Sequence, residues 1–230
     1  MLEGSVVAVH QPNYLPYLGF FHKMNRADVF VLYDTAEYSK NGLTNRNRIK
    51  TANGVQWLTV PVQKASSRPI KDVEIASGVW AMKHAKSLQA NYQRARYFST
   101  YFPELKSILM REWANVSSLN AALIECLRRW LSIETTLVLA STLPPPQEDD
   151  ATEKILHITQ ACGGSVYLSG PRGKDYLDTG KFRDIRLEYD VFHPRPYPQL
   201  HGAFIPNLSA VDALFNCGDG TRELLLSSRA

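Results

Sequence analysis

The chain opens with two short apolar runs joined by a stretch of helical periodicity. Residues 6–9 and 28–34 are nearly all apolar and rich in β-branched or aromatic side chains, which is typical of buried strands. Between them, the spacing of apolar positions predicts a helix from about residue 18 to residue 26. Two apolar strands joined by a helix indicate a βαβ unit whose strands pair in parallel.

The middle of the chain has a helical pattern. Apolar residues recur at helical spacing after Pro103 and again after residues 117–118, and both stripes predict helices that pack against a core. A further helix is expected to begin at Asp150, because Glu153 completes a capping-box pattern with it. Two glycines at residues 163–164 predict its end.

Shorter apolar runs predict the remaining elements and, with them, the fold. Strands are expected at residues 57–62, 73–75, 135–140, 165–168 and 186–192, and a last amphipathic helix at residues 208–216. The fold class is therefore α/β, with a mostly parallel Rossmann-like sheet, flanking helices and a helical middle section. We expect one domain over residues 1–230, with a helical subregion at about residues 80–133 and a proline-rich crossover at residues 143–150.

Composition favours a compact globular protein rather than a disordered chain or a dedicated nucleic-acid binder. Of the 230 residues, 44% are hydrophobic and 10% aromatic, which is enough for a buried core. The formal net charge of +4 is modest and the basic residues are scattered, so a dedicated nucleic-acid binder is not favoured. A small anionic substrate remains easy to accommodate.

Targeting and redox signals indicate the cytoplasm. The chain has no run of about 18 apolar residues and no charged and apolar leader at its amino terminus, so we expect no membrane span and a cytoplasmic location. Cys126, Cys162 and Cys217 contain no Cys-x-x-Cys pair. They predict reduced thiols rather than a disulfide framework or a thiolate zinc site.

The segment from His10 to Gly19 is the first candidate for chemistry. Ligands in open α/β sheets bind beyond the carboxyl ends of strands, and a helix starting near Pro16 would direct its free N–H groups toward an anion. His10 could be a general base, a phosphate donor or a structural hydrogen bonder, and a loop made rigid only for packing is the alternative. The hydrogen-bonding side chains that directly follow the first predicted strand are His10, Gln11, Asn13 and Tyr14.

Residues 44–50 carry an alternating pattern of cations and amides. If this stretch is extended, the basic side chains share one face and the amides the other. Several cations on one edge can hold phosphate or carboxylate groups, and arginine does so in a bidentate manner. A solvated strand with ordinary surface charge is the alternative. The basic residues are Arg46, Arg48 and Lys50, and the amides are Asn45 and Asn47.

A strand, a tight turn and a helix start are predicted over residues 167–177, a layout that exposes backbone amides to anions. The turn begins at Ser169 and Gly170. Lys174 could neutralise a phosphate, and Asp175 could orient a hydroxyl or an amine. The glycine spacing and the Gly-Lys-Ser/Thr ending of a Walker A loop are absent, and a purely structural turn is the alternative.

Residues 197–207 form another polar segment fixed by prolines that leads into a helix. His201 is the second candidate acid or base, Gln199 is a candidate substrate ligand, and Asn207 stands where the helix would be capped. A histidine satisfied within a loop is the alternative. His10 and His201 are too isolated in sequence to suggest a metal site, so no metal is expected.

With these segments in place, the chain resembles the WbqC-like protein family. One departure from the family's usual pattern is Arg172-Gly173, where small residues are more common and where the arginine would alter the specificity of an anion-binding turn. The motifs that carry the resemblance are HQPNYLPYLG (residues 10–19), ADVF (27–30), NRNRIK (45–50), WLTVP (57–61), YLSGP (167–171), KDYL (174–177), PQLHG (198–202) and FIPNLS (204–209).

This resemblance implies an association with surface polysaccharides, amino sugars and some natural products, and a role as an aminoacyl or acyl transferase. We therefore expect a transferase that acts on an amine of a nucleotide-linked sugar or a comparable metabolite. His10 or His201 would deprotonate the amine. The groups expected to hold phosphates are Arg46, Arg48 and Lys174, and those expected to hydrogen-bond the substrate are Asn13 and Gln199.

Other hypotheses stay open from the sequence. In one version, ATP or another nucleotide is the cofactor, and the first βαβ unit adenylates the acyl donor. The alternative is a non-catalytic ligand-binding or accessory subunit that presents a sugar nucleotide to another enzyme, and a homo-oligomer is compatible with either. All versions require the four polar segments to be neighbours in space.

Overall fold

The computed structural model describes residues 4–63 and 65–227. Its strands are β1 (Val6–His10), β2 (Val29–Leu32), β3 (Arg46–Thr51), β4 (Gly54–Thr59), β5 (Val62–Gln63), β6 (Glu74–Ile75), β7 (Thr136–Leu139), β8 (Val166–Ser169) and β9 (Arg186–Tyr189). Its α-helices are α1 (Leu18–Asn25), α2 (Trp80–Tyr92), α3 (Phe98–Leu109), α4 (Val116–Trp130), α5 (Ala151–Ala161), α6 (Ala210–Cys217) and α7 (Gly220–Leu226).

Strand β1 lies at the centre of a five-stranded parallel sheet of order β7-β2-β1-β8-β9. On one side Val9 pairs with Val31 of β2, and on the other Ala8 pairs with Leu168 of β8. Helix α1 joins β1 to β2, which is the crossover that parallel neighbours require. The predicted α/β class with a parallel, Rossmann-like sheet is confirmed.

Helices cover both faces of this sheet. Successive side chains of a strand point to opposite faces, so β1 contributes to two hydrophobic clusters. Ala8 packs in one cluster with Phe20 of α1, whereas Val7 and Val9 pack in the other with Ile155 of α5. Helices α1 and α5 therefore lie on opposite faces, as in sheets whose parallel strands are buried on both sides.

Several predicted boundaries differ from the structure. Strand β9 ends at Tyr189 rather than at residue 192, and the last helix begins at Ala210, where Ser209 rather than Asn207 is the N-cap.

At two further boundaries a proline is involved. The helix expected after Pro103 begins earlier, at Phe98, because the residues before the proline are already part of the core. The strand predicted around Pro61 is divided, with β4 ending at Thr59 and β5 starting at Val62. Proline has no N–H group to donate to a strand ladder, which accounts for the division.

Between β2 and α2 the chain forms an antiparallel hairpin, β3 and β4, in which Arg48 pairs with Trp57. Ile49 and Leu58 lie on its buried face. The hairpin is separate from the parallel sheet, but it contacts the loop that follows β1. In the described part of the chain, no helix is both long enough and apolar enough to cross a membrane.

Candidate functional site

The strand order places a topological switch point between β1 and β8, which is where a ligand is expected to bind. From β1 the chain continues to β2, which lies toward one edge of the sheet, and from β8 it continues to β9, which lies toward the opposite edge. The loops after β1 and β8 therefore diverge. Ligands of open parallel sheets bind at this point, outside the carboxyl ends of the strands. We call it the switch-point crevice, and it is bounded by His10 at the end of β1 and by Ser169 and Gly170 at the end of β8.

His10 is partly exposed at this crevice. Its ring packs edge-on against Phe20, with centroids 4.8 Å apart, and its Nδ1 lies 2.9 Å from the carbonyl oxygen of Gln11. Since a carbonyl only accepts, Nδ1 carries the proton and Nε2 presents a lone pair. Burial, reinforced by the positive charge of Lys23, lowers the pKa of His10 to about 4. The imidazole is therefore neutral at pH 7 and can accept a hydrogen bond or a proton.

Lys23 of α1 is a charged group near His10 that the sequence reasoning missed. Only 4% of the residue is exposed, and its Nζ donates to the carbonyl oxygen of Val9 at 2.8 Å. Burial lowers the pKa of Lys23 to about 8, against the opposing effect of Asp190. The available signal was His22-Lys23 inside an otherwise apolar helical stretch, since buried basic residues need partners.

Asp190, which directly follows β9, fixes α1 in place. Its carboxylate is only 3% exposed. It lies 2.7 Å from Nη1 of Arg26 and 3.0 Å from Nδ1 of His22, one helical turn earlier. These contacts tie α1 to the end of β9 and so set the position of Lys23 beside β1.

The turn after β8 forms the other wall of the crevice. Ser169 is buried, and its Oγ donates to the carbonyl oxygen of Gly170 at 3.1 Å. Gly173 packs so closely that a Cβ added there would lie 2.0 Å from Oγ of Ser169. Only glycine fits at this position without displacing the serine.

The charged residues of that turn face outward. The predicted helix start is a single 3-10 segment, Pro171–Asp175. Lys174 is exposed, and its Nζ lies 5.0 Å from the centre of the Tyr189 ring. Asp175 is also exposed. Both side chains are therefore open to solvent beside the end of β8.

The loop after β1 is held by side chains from distant parts of the chain. Asn47 of the hairpin donates through Nδ2 to the carbonyl oxygens of Tyr14 at 3.1 Å and Leu15 at 2.8 Å. Asn120 of α4 donates to the carbonyl oxygen of Pro12 at 2.8 Å. Leu15 has a φ of 42°, in the left-handed region that costs a branched residue free energy, so these bonds stabilise a strained turn.

The polar side chains of this loop divide into two groups. Tyr14 is fully buried, and its hydroxyl lies 2.8 Å from Nδ1 of His84, inside the protein. Gln11 is partly exposed. Asn13 is 5% exposed, and its side chain has no hydrogen bond to another described residue. Gln11 and Asn13 are therefore the amides of this loop that remain available to a ligand.

The predicted extended stretch after residue 44 is strand β3, and its two arginines share an aromatic neighbour. The guanidinium carbon of Arg46 lies 4.4 Å from the centre of the Trp57 ring, and that of Arg48 lies 5.8 Å away. Arg48 also donates to the carbonyl oxygen of Asn207 at 3.1 Å. Asn45 is buried, and its Nδ2 donates to the carbonyl oxygen of the strand-flanking Val60.

Lys50, the third cation of β3, is buried and ties residues 197–207 to the hairpin. Its Nζ donates to Oε1 of Gln199 at 3.1 Å and to the carbonyl oxygens of Gly202 and Ala203. Gln199 also accepts from the backbone N–H of Ile205 and donates to its carbonyl oxygen. The amide of Gln199 is thus engaged by Ile205 of its own loop and by Lys50 of β3.

His201 lies away from His10. It is exposed, has a φ of 63°, and its Nε2 lies 2.9 Å from the carbonyl oxygen of Asn91 near the end of α2. Within residues 4–63 and 65–227, no hydrogen bond or ring contact joins the two histidines. Of the two candidate bases, His10 is the one at the switch-point crevice.

Three of the four predicted segments are joined by direct hydrogen bonds. Asn47 connects the hairpin to the loop after β1. The backbone N–H of Ser209 donates to the carbonyl oxygen of Arg48, and the backbone N–H of Ala210 donates to the carbonyl oxygen of Pro16. The fourth segment, the turn after β8, reaches the first loop through the pairing of β1 with β8. The segments therefore share one end of the molecule, but their cations do not form one cluster.

The histidines near the first loop predict a loss of stability in mild acid. His84 is 6% exposed, and burial lowers its pKa from 6.5 to about 4. Because the unfolded chain takes up this proton at higher pH than the folded protein, the free energy of unfolding should fall below pH 6.5. The expected loss is about 2 kcal/mol at pH 5, levelling off below pH 4. Urea unfolding at pH 8 and pH 5 measures it.

A matched pair of variants isolates this effect. In His84→Gln, which retains an acceptor for Tyr14, the difference in stability between the two pH values should shrink by about 2 kcal/mol. His157 of α5 is only half-buried, so His157→Gln should change the difference much less than His84→Gln does. An equal pH dependence in wild type and His84→Gln would contradict the assignment. His10 acts in the same direction because burial lowers its pKa as well.

The cysteines and acidic residues add no further reactive cluster to the described part of the chain. Across residues 4–63 and 65–227, no group of three or more His, Cys, Asp or Glu residues is placed to hold a metal ion. Cys126, Cys162 and Cys217 are free thiols. Burial raises the pKa of the Cys126 thiol to about 12 and raises the pKa values of the other two. Their thiolate fractions near pH 7 are correspondingly small.

Comparison with known proteins identifies a family and a relative of this chain. The model of the WbqC-like protein family matches residues 11–223. The uncharacterized protein Rv1507c of Mycobacterium tuberculosis is 36% identical over 220 residues, which cover 92% of this chain and 94% of that protein. No solved structure matches the chain.

Proposed function

The chain belongs to the WbqC-like protein family, and from that premise we propose that it is a transferase that adds an aminoacyl or acyl group to an amine of a small anionic substrate. The setting is the biosynthesis of surface polysaccharides, amino sugars or natural products. The observation that carries the proposal is the neutral His10 imidazole near the buried Lys23 ammonium, at the carboxyl end of β1. A proton acceptor near a positive charge suits an anion that carries an amine.

In this reaction the amine nitrogen attacks the acyl carbon and a C–N bond forms. The bond between that carbon and the leaving group of the donor breaks, and the leaving group departs with the electron pair. Nε2 of His10 accepts the proton that the amine nitrogen loses. Lys23 and Lys174 supply positive charge for phosphate or carboxylate groups, and the amides of Asn13 and Gln11 orient the amine.

A nucleotide fits this arrangement as cofactor or as carrier of the substrate. The strand order β7-β2-β1-β8-β9 is one in which nucleotides bind at the switch point. In the ATP-dependent version the acyl donor is activated as an adenylate, and pyrophosphate is released. Incubation of the protein with ATP and a panel of small acids, glycine included, should then release pyrophosphate. No release across the panel would reject this version and leave transfer from a donor activated elsewhere.

Substitution of His10 by glutamine is expected to lower product formation about 100-fold, because glutamine can hydrogen-bond but cannot take up the proton. Affinity for a nucleotide-linked amino sugar, measured by calorimetry, should change by less than about threefold, since proton transfer is not part of binding. His157→Gln on α5 is the matched control and should leave both quantities unchanged.

The second candidate is an accessory subunit that presents the ligand to another enzyme. It is favoured by the low pKa of His10, about 4, which makes the imidazole a weak base in the free protein. If His10→Gln forms product at the wild-type rate, the transferase proposal fails and the accessory function is supported. Loss of product with retained binding supports the transferase.

A further inference from the structure

A cavity of about 410 Å³ lies beside the hairpin. One wall comes from the segment between β2 and β3, which includes Lys40, and from Arg46 at the start of β3. The other wall comes from the end of β4 and the turn around Ser67. Among the described residues, none from the loop after β1 or the turn after β8 lines it. Its volume is within the range of roughly 300–1,000 Å³ that is typical of small-molecule sites.

Arg46 brings an unsatisfied donor to this cavity. Its Nε is buried, and no described residue accepts a hydrogen bond from it. One of its Nη groups donates to the carbonyl oxygen of Asn41 at 2.5 Å. A buried donor without an acceptor is costly, so a ligand oxygen that reached this N–H on binding would remove that cost.

The neighbour of Arg46 fixes the orientation of the guanidinium group. The Trp57 ring lies against it, 4.4 Å from the guanidinium carbon, and is itself 44% exposed. Stacking uses the flat face of the guanidinium and leaves its N–H groups, which lie in the plane, free to donate. An arginine held in this way is suited to bidentate recognition of phosphate or carboxylate.

The other polar groups of the cavity favour an anion and form a rigid wall. Lys40 is a second cation, and Glu37 is the one acidic residue among the described lining residues. Tyr38 donates to Oδ1 of Asn45 at 2.9 Å, so these two side chains are already engaged with each other. The charge balance of the lining is positive, and the unpaired donor of Arg46 is the specific feature.

We propose that this cavity is a second binding site, which takes the oxyanion of a small metabolite, a phosphate or a carboxylate. Arg46 is its anchor through the N–H groups of its guanidinium, and Lys40 supplies further positive charge. The proposal goes beyond the transferase function, because neither His10 nor Lys23 takes part. Either proposal can fail while the other stands.

The test follows the indole N–H resonance of Trp57 by NMR in the full chain, without any activity assay. The resonance is assigned with Trp57→Phe, and the other three tryptophans serve as internal references. Inorganic phosphate, glucose 1-phosphate and acetate are titrated separately against sodium chloride at equal ionic strength. A saturable shift of the Trp57 resonance is expected with at least one oxyanion, and comparison of the phosphates with acetate identifies which oxyanion is bound.

Two substitutions of Arg46 and one of its neighbour sharpen the result. Arg46→Gln should raise the dissociation constant about tenfold or more, and so should Arg46→Lys, which keeps the charge but loses the planar fork. Arg48 contacts the same Trp57 ring but does not line the cavity. Arg48→Gln should therefore change the dissociation constant less than about twofold. The proposal is overturned if no oxyanion gives a saturable shift, if chloride reproduces it, or if Arg48→Gln weakens binding as much as Arg46→Gln.

Discussion

Replacing Lys23 with methionine is expected to weaken the binding of an anionic substrate, and with it product formation, by about 10- to 100-fold. A charge-assisted hydrogen bond contributes roughly 1.5–3 kcal/mol, and about 1.4 kcal/mol corresponds to a factor of ten. Methionine preserves the length and packing of the side chain but removes the ammonium group. The free energy of unfolding should stay within about 1 kcal/mol of wild type, because a buried charge is itself costly.

A spectroscopic measurement separates this role from simple packing. Because the positive charge of Lys23 lowers the pKa of His10, the pKa of His10 should rise in Lys23→Met, while burial keeps it below 6.5. NMR titration of the ring resonances measures that change. Lys106→Met, at an exposed position of α3, is the control and should alter neither substrate affinity nor the pKa of His10. Wild-type affinity and an unchanged His10 pKa in Lys23→Met would show that the lysine only fills space beside β1.

Substitution of Asp212 by alanine is expected to lower the free energy of unfolding by about 4 kcal/mol. Asp212 is fully buried in α6, and its carboxylate accepts from the hydroxyls of Tyr92 at 2.7 Å and Tyr197 at 2.8 Å. Burial raises its pKa, whereas these hydroxyls and the charge of Lys50 oppose that rise. Removing the carboxylate leaves two buried hydroxyls without their acceptor and a buried lysine without its counter-charge.

Asp219 provides a matched control for this measurement. Its Oδ1 also accepts from a tyrosine, Tyr101, at 3.1 Å, but the residue is exposed. Asp219→Ala should therefore cost less than about 1 kcal/mol in urea unfolding at pH 7.5. Equal losses in the two variants would show that burial of the Asp212 network is not the source of its effect.

Much of the fold could be predicted from local patterns. The apolar run before His10 and the run at residues 28–34 gave the parallel pair β1 and β2, because periodicity and residue type are local properties. Asp150 caps α5 by accepting from Thr152 and Glu153 at 3.0 Å, as the capping pattern predicted. These features depend on residues a few positions apart, which a sequence displays directly.

The site was less predictable because it depends on pairings between distant residues. Arg48 and Lys50 occupy equivalent positions in the alternating pattern of β3. Lys50 is nevertheless buried under residues 197–207, whereas Arg48 lies on the outer surface of the hairpin. Gln199 has the appearance of a substrate ligand, but its amide closes its own loop. The pair His22-Lys23 indicates a buried basic residue, but its position beside the end of β1 depends on a contact with Val9 that the helix itself does not show.

The bonds that hold the loop after β1 also constrain when this site can form during folding. Asn47 is 33 residues from Tyr14, Asn120 is 108 residues from Pro12, and β1 gains its second neighbour only from β8, near residue 166. A nascent chain that ends before β8 therefore leaves the central strand with an open edge, which invites pairing with other chains. Contacts of such long sequence separation slow folding, so the switch-point crevice is expected to be among the last parts of the protein to form on the ribosome.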